Sequence, residues 1–408
     1  LLLSRTVGEG GVAFDPRYGR GVAYDGNAGG LVVTVNQEQD TPLWFVNTAE
    51  STISRWDAGD EEPREAGKYR VGLPAGECPG SCCWDAGCNM PSRVVVDSAA
   101  NVYVASRGFG MQGTVTKIAG DIDNCVDRNN NGRIDTSNGA AALAYGADEC
   151  VLWTVAVGPA DALLRALAVD LGDPAQPDGY VWVGAYNTRR MHKLNPETGD
   201  ELTNVQVGVQ PHGAIVLANG DLYVSTLGDG QLQSINTRTH QAGPVINNPA
   251  ALRGGCASSY GIAADGKGRI WMNGWSCPDA IAYDPADQTW CRMDLSQIWA
   301  IDGVPDFVGR GITADNTGRL FAAIGGDGQS NVAWWNSNDC RANQSTVVPA
   351  RNHIRGPANT NGPTAVGADA KGHIWVAHYL TPSILRIDPD NNMDTRQWDG
   401  TNQVYSFS

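Results

Sequence analysis

The chain of 408 residues has no run of about 18 consecutive apolar residues, which excludes a membrane-spanning helix as far as hydropathy can. Positive charge is scarce: 29 Lys and Arg stand against 44 Asp and Glu, for a formal net charge of −15. That balance argues against nucleic acid, anionic membrane surfaces and other polyanions as partners. Helical periodicity of roughly 3.6 residues is missing over any sustained length, which excludes a helical solenoid. No Gly-x-Ser-x-Gly nucleophile turn occurs, no order of Ser, His and Asp is diagnostic, and no Gly-x-Gly-x-x-Gly phosphate loop precedes a helix. Histidine is rare, with six copies, so each can be weighed as a base or ligand. The first residues are Leu1-Leu2-Leu3-Ser4 without Met, as expected of a processed or trimmed product.

Glycine is abundant, with 50 copies, and it punctuates short apolar runs. In residues 362–390, Val366, Ile374-Trp375-Val376 and Ile384-Leu385 read as strands, and Asp369-Ala370-Lys371-Gly372 and Asp388-Pro389 read as turns. The same arrangement recurs at 212–224, 260–272 and 310–322. An aromatic holds the same place in the second strand each time: Trp44, Tyr103, Trp182, Tyr223, Trp271, Phe321 and Trp375. Seven such copies cannot bury their own faces, but arranged radially they bury each other and leave only short edges. The pattern predicts an all-β fold: a seven-bladed β-propeller of four-stranded antiparallel blades, with 1–408 as a single domain. A β-sandwich or β-helix is the competing arrangement.

Blade 1 is expected to take its inner strand from 29–35, two strands from 43–57 and an outer strand from 68–73, with 403–408 as one more strand tying the ring closed. Blade 2 begins near 92 and reaches its fourth strand only at Val151. Blades 3 to 7 are expected at 164–208, 211–248, 258–295, 309–348 and from 362 onward. Two insertions stand out, a Cys-rich one at 74–91 and one at 121–150 within blade 2.

The ten cysteines, an even number, cluster at Cys78, Cys82, Cys83 and Cys88, at Cys125 and Cys150, and at Cys256, Cys277, Cys291 and Cys340. In an acidic, turn-rich chain this reads as disulfides formed in an oxidising compartment, hence a secreted, periplasmic or cell-surface protein. Zinc at the first cluster is the alternative, poorly suited by the vicinal Cys82-Cys83 pair. Cys256 and Cys277 both fall on one face of blade 5 and are placed to pair, and Cys291 and Cys340 are placed to staple blades 5 and 6. Pairings within 78–88 stay open.

Residues 125–138 carry the sharpest motif. Asp127, Asn129 and Asn131 alternate, and Gly132, the Arg133 carbonyl, Ile134 and Asp135 follow, as in the first nine positions of an EF-hand-type calcium loop. Alternate side chains aim oxygens inward for a hard cation, and Gly132 permits the sharp turn. Asn138 stands at the twelfth position, so the closing carboxylate is expected from Glu149 or Asp148, returned by a Cys125–Cys150 disulfide. The expected cofactor is a structural Ca2+.

In a propeller, the loop entering each inner strand and the loop leaving each second strand share one face around the channel. Entry positions by register are Ser92 with Arg93, Arg165, His212, Tyr260, Arg310 and Thr364, with Arg20 as the loosest match in blade 1. Exits include Asn47, Arg107, Tyr186, Asn273, Trp275, His378 and Tyr379. This mouth gathers a basic spot in an acidic chain, suited to a small anionic or carbonyl-bearing ligand held by Arg forks between aromatic walls. Arg93, Arg107, Arg165, Arg310, Tyr260, Asn273, Trp275 and Tyr379 are the candidate ligand-binding residues. His212 and His378 are the candidates for general base or metal ligand. The competing reading is that these side chains only fill the channel. His192, His240, His353 and His373 receive no role.

The segments Pro211-His-Gly-Ala-Ile-Val216, Asn219-Gly-Asp-Leu-Tyr-Val224, Gly372-His-Ile-Trp-Val-Ala-His378 and Ile384-Leu-Arg-Ile-Asp-Pro389 resemble the repeats of the virginiamycin B lyase (streptogramin lyase) family, and more distantly NHL-type propellers. The resemblance covers blades 2 to 7. It implies a seven-bladed fold and a magnesium-assisted elimination that opens a cyclic depsipeptide ester, with a His base and a Glu metal ligand in the last blades. His378 matches such a mouth position. The last blade of this chain contains no Glu. Two functions follow as expectations: a lyase or hydrolase acting on a small ester, lactone or phosphoester, with a second divalent ion (Mg2+ or Ca2+) at the mouth, or a non-catalytic module recognising a peptide, glycan or small anion. The protein is expected to act as a monomer.

Overall fold

The computed structural model describes residues 22–25, 30–33, 42–58, 62–77, 89–252, 258–302, 309–325, 331–356, 362–379, 381, 383–399 and 404–407. The chain divides into two compact units, Leu1–Thr41 and Pro42–Ser408. In the first, Val22–Asp25 pairs antiparallel with Gly30–Val33 to make a two-stranded hairpin. Residues 29–35 therefore do not supply the inner strand of blade 1. That edge is taken by Val404–Phe407, which pairs antiparallel with Leu43–Asn47.

In the second unit, seven sheets carry the strands of a propeller. Blade 1 is Val404–Phe407, Leu43–Asn47, Thr52–Asp57 and Arg64–Arg70. Its outer strand starts earlier than the sequence pattern indicates, because Lys68 to Arg70 is only the end that faces the neighbouring blade. Blades 2 to 5 fall where the turn signals put them, starting at Pro91, Leu164, Gly213 and Ser259. Blade 6 differs. Its outer strand is His353–Arg355, and Ser345–Val347 instead adds parallel to the outer strand of blade 5, Thr289–Asp294. A three-residue strand of polar character has little pattern of its own, so its partner is set by tertiary position. Blade 7 is Pro363–Ala368, Ile374–His378, Ser383–Asp388 and Asp394–Asp399. A short α-helix, Ser296–Asp302, which the periodicity did not foretell, follows blade 5 and buries Ile298 between blades 5 and 6. Among the described residues no helix is long and apolar enough to cross a membrane.

The second strands explain the radial packing. Their side chains alternate faces, and each face meets a different neighbour. Trp44 packs with Val102 and Val104 of blade 2, whereas Phe45 packs with Trp375 and Ala377 of blade 7. Tyr103 and Ala105 face blade 3. Trp182 faces blade 4, and its neighbours Val181 and Val183 face blade 2. The remaining seams, between blades 4 and 5, 5 and 6, and 6 and 7, are clusters of the same make. Burial on both faces turns these strands into nearly continuous apolar runs.

The recurring aromatic has a second task. Asp97, Asp170, Asp265 and Asp369 each end an inner strand, and their carboxylates accept bonds from Tyr103 Oη at 3.0 Å, Trp182 Nε1 at 2.9 Å, Trp271 Nε1 at 2.9 Å and Trp375 Nε1 at 2.8 Å. Backbone N–H groups of the following turn bond to the same carboxylates. Cations beside them reach the next blade: Arg269 Nη2 donates to Ser337 O at 2.7 Å, Arg319 Nη1 to Pro389 O at 3.1 Å, and Lys193 Nζ to Thr237 O at 3.3 Å. Blades 3, 5 and 6 are thus each pinned internally and to the next blade by one acid–base unit, with Asp315 as the acid beside Arg319 in blade 6.

Candidate functional site

A β-bulge opens the inner strand of five blades at its mouth end. One extra residue lies between Pro91 and Arg93, Leu164 and Leu167, Ser259 and Ile262, Gly309 and Ile312, and Pro363 and Ala365. A bulge kinks the strand and re-aims a side chain out of the pleat. The residues in these bulges include Ser92, Arg165, Tyr260, Arg310 and Thr364, the positions that register assigned to the mouth. In blade 4 the equivalent residue is His212, whose N–H donates to Ser225 O at 2.8 Å. Two glycines make the crowding possible. A Cβ on Gly261 would lie 2.3 Å from Arg310 O, and one on Gly311 would lie 2.7 Å from Val366 N. Inner strands of blades 5, 6 and 7 therefore approach more closely than side chains would allow. Below the mouth lies a cavity of about 180 Å³, lined among others by Arg93, Leu167, Tyr260, Ile312 and Val366.

Tyr260 is the centre of the mouth. It is buried, stacks on Trp275 with ring centroids 4.8 Å apart, and receives the His212 ring edge-on at 4.7 Å. The Arg93 and Arg310 guanidinium carbons lie 5.5 Å and 5.9 Å from its ring centroid. The charge of Arg165 also favours its ionised form. Arg310 also sits over Trp275 at 5.1 Å and over Tyr379 at 4.2 Å, so three rings wall one cation. Tyr186 meets His212 edge-on at 6.4 Å. Among the described residues no carboxylate lies within ion-pair distance of Arg93, Arg165 or Arg310, and the buried Nε of Arg165 has no hydrogen-bond partner.

The electrostatics follow from that crowding. Burial pulls the Arg165 pKa down, with Arg93 adding repulsion. Burial also drives His212 well below the usual imidazole value, helped by Arg93 and Arg165. Its Nδ1 lies 3.2 Å from Tyr260 O, and its Nε2 lies 3.5 Å from Arg93 Nη2. A neutral ring with Nδ1–H donated to the carbonyl leaves Nε2 to accept from the guanidinium. For Tyr260, burial raises the pKa, but Arg93, Arg165, Arg310 and Arg107 together lower it to about 8.

Other expected mouth residues take different places. Arg107 is buried with Nε donating to Met90 O at 3.1 Å, and its guanidinium lies over Phe109 at 5.0 Å. Asn273 is wholly buried, and its amide joins blades 5 and 6 by donating to Ala323 O at 2.8 Å and Gly311 O at 3.3 Å. His378 is wholly buried too, with Nδ1 3.1 Å from Ser383 O, and burial lowers its pKa to about 4. Arg20, Cys256, Cys78, Cys82, Cys83 and Cys88 lie outside the described residues. Cys277 is disulfide-bonded. The charges at the mouth are arginines, and among the described residues no three of His, Cys, Asp or Glu come together there or in the insertion.

The insertion of blade 2 folds as a separate polar knot. Cys125 and Cys150 are bridged with Cα atoms 4.4 Å apart, and Cys291 and Cys340 join blades 5 and 6 with Cα atoms 5.7 Å apart. Asp127 accepts the N–H groups of Asn131 at 3.2 Å and Gly132 at 2.9 Å. Asn129 and Asn131 each donate Nδ2 to Asp135 Oδ2 at 2.7 Å, and Arg133 pairs with the other oxygen at 3.0 Å. The Asn129 amide first, then that of Asn131, holds the Asp135 pKa below the usual carboxylate value. Glu149 is buried and accepts N–H bonds from Arg128, Asn129 and Asp135. Asp148, the other candidate, turns instead to Thr136 and Ser137. Gly132 has φ +82°, the left-handed conformation the motif required.

Neither a family model nor a curated protein sequence matches this chain. Solved structures do. A streptogramin B lyase is 14% identical over 84% of this chain and 88% of its own, with a TM-score of 0.54. A protein from Lactobacillus plantarum is 11% identical over 90% of this chain and 98% of its own, with a TM-score of 0.60. Apo AztD from Citrobacter koseri is 11% identical over 90% and 96%, with a TM-score of 0.53. The likeness at these identities is one of fold, and the lyase resemblance read from the repeats holds at that level.

Proposed function

We propose that the mouth of this propeller binds a small oxyanion or carbonyl-bearing ligand among Arg93, Arg165 and Arg310, and that the protein acts there as a lyase or hydrolase on a small ester, lactone or phosphoester. One observation carries the binding step: three guanidiniums gather around Tyr260 with no carboxylate paired to them among the described residues. Like charges gathered in a half-buried site repel, and a bound anion relieves that repulsion while taking paired N–H donors from each fork. The same donors stabilise the negative charge that develops on a carbonyl or phosphoryl oxygen during acyl or phosphoryl transfer. Trp275 and Tyr379 supply flat walls for the rest of the ligand. His212 and His378 are neutral here, and with pKa values pressed downward each is a weak base, which favours positioning over proton abstraction. A non-catalytic anion-binding module is the second reading, and the same weakness of the histidines favours it.

The test of the site is direct. Calorimetry with sulfate should detect binding at neutral pH, and replacing both Arg165 and Arg310 by Ala should weaken it on the order of 100-fold or more, each lost charged contact contributing about 1.5–3 kcal/mol. Binding unchanged in the double variant would make the arginines channel filling.

The insertion is proposed to hold a structural Ca2+. Asp127, Asn129, Asn131, the Arg133 carbonyl and Asp135 would be the ligands, with Glu149 as the nearest further carboxylate. An oxygen-rich set with alternate spacing suits a hard cation, and a rotation of either Asn amide exchanges its N–H donor for an oxygen. Disulfides and calcium together fit a secreted, periplasmic or cell-surface setting.

A further inference from the structure

We propose that Tyr260 is the built-in counter-ion of the channel mouth in alkaline solution, so that there an oxyanion binds by displacing its negative charge and the site takes up a proton as it fills. The inference rests on the anion-site reading and states how that site is regulated. Its basis is position. The ring of Tyr260 lies between Trp275 and His212 and near Arg93 and Arg310, and the charge of Arg165 acts on the same phenol. From the elements around it, the charged or titratable groups that face Tyr260 are Arg93 of blade 2, Arg165 and Tyr186 of blade 3, His212 of blade 4 and Arg310 of blade 6, the last also covering Tyr379 of blade 7, while Arg107 of blade 2, turned to Met90, acts on it from farther away. His212 is kept neutral, and no carboxylate pairs with Arg93, Arg165 or Arg310 among the described residues. Tyr260 is therefore the acid best placed to balance the arginines when no ligand is present.

The ionisation follows the same arithmetic. Burial alone raises the phenol, yet the four arginines bring it to about 8. An anion seated among them cancels the field that holds the phenolate, and the phenol returns toward its ordinary value of 10.0. As the anion enters, a proton from solvent forms the O–H bond of Tyr260, no bond of the ligand breaks, and the net charge of the site changes by that proton and the anion alone. Linkage makes the effect reciprocal: above the phenol midpoint, each pH unit costs the anion up to roughly tenfold in affinity.

Sulfate is the suitable probe because its charge is fixed over the range. Its dissociation constant should be flat below about pH 7 and should rise about 25-fold in all between about pH 8 and pH 10, with about 0.8 proton taken up per anion near pH 9 when calorimetry is repeated in buffers of different ionisation enthalpy. Tyr260→Phe should abolish both the slope and the uptake, whatever its own affinity for sulfate near neutrality. A phenolate absorbance step near pH 8 should vanish in the same variant and move upward in Arg310→Ala. Sulfate bound near neutrality with no slope, or with the slope intact in Tyr260→Phe, would overturn the counter-ion role and leave the anion site standing. Failure to bind sulfate near neutrality, where the phenol is protonated, would remove the anion site itself and the counter-ion with it.

Discussion

His378 shows how burial sets a limit on acid tolerance. Its ring is wholly enclosed, and its folded pKa of about 4 lies below the free value of 6.5. Between those values the unfolded chain binds a proton that the folded one refuses, so the stability it contributes is complete above 6.5 and is lost as pH falls toward 4. Buried His212 is depressed in the same direction. The thermal midpoint should therefore fall through that window, and His378→Asn should flatten the slope. An identical slope in the variant would show that His378 takes no part. The entry residues of the mouth were legible from register alone, since Ser92, Arg165, His212, Tyr260, Arg310 and Thr364 each stand five residues before the turn that ends the inner strand, at Asp97, Asp170, Leu217, Asp265, Asp315 and Asp369. Their directions were not. Arg107 and His378 occupy mouth positions by count, yet one turns to Met90 and the other to Ser383. Orientation depends on bulges and on neighbours far away in the chain, which local pattern does not carry.

The blade 2 insertion ties sequence to packing more tightly than its polarity suggests. Ile134 and Cys125 pack with Trp44, Tyr69 and Val71 at the seam of blades 1 and 2, and Ser137 Oγ accepts the N–H of Lys68 at 2.9 Å. Arg70 Nε donates to Leu143 O at 3.1 Å. The knot thus braces the first seam from outside. If calcium occupies it, EDTA should lower the thermal midpoint of the wild type, and Asp127→Ala should lower it in calcium and remove the response to EDTA. Sulfate binding at the mouth should be unaffected. A midpoint indifferent to EDTA would refute the calcium assignment. The Cys125–Cys150 bridge was readable because its two cysteines stand alone at the ends of the insertion. The strand Ser345–Val347 was misplaced for the opposite reason: nothing within three polar residues names the sheet they join.

Closure joins all of these parts into one cooperative object. The inner strand of blade 1 comes from Val404–Phe407, and its hydrogen-bonded partner Leu43–Asn47 lies at the other end of the ring. Removing 404–407 should leave one inner edge unpaired, lower the thermal midpoint by several degrees or more and promote association through that edge. A synthetic peptide of the same residues should restore the midpoint by strand addition. A truncated chain as stable and monodisperse as the intact one would mean that the ring does not depend on its latch. Pairing across so long a stretch of chain also fixes an order of events during synthesis. Every blade from the second to the seventh can assemble from residues already made, but the first waits half-built until residue 407 has left the ribosome. Until those residues are made the nascent protein is an open arc with two unsatisfied ends, which makes the interval before they emerge, rather than the folding of any single blade, the period in which it most needs a chaperone.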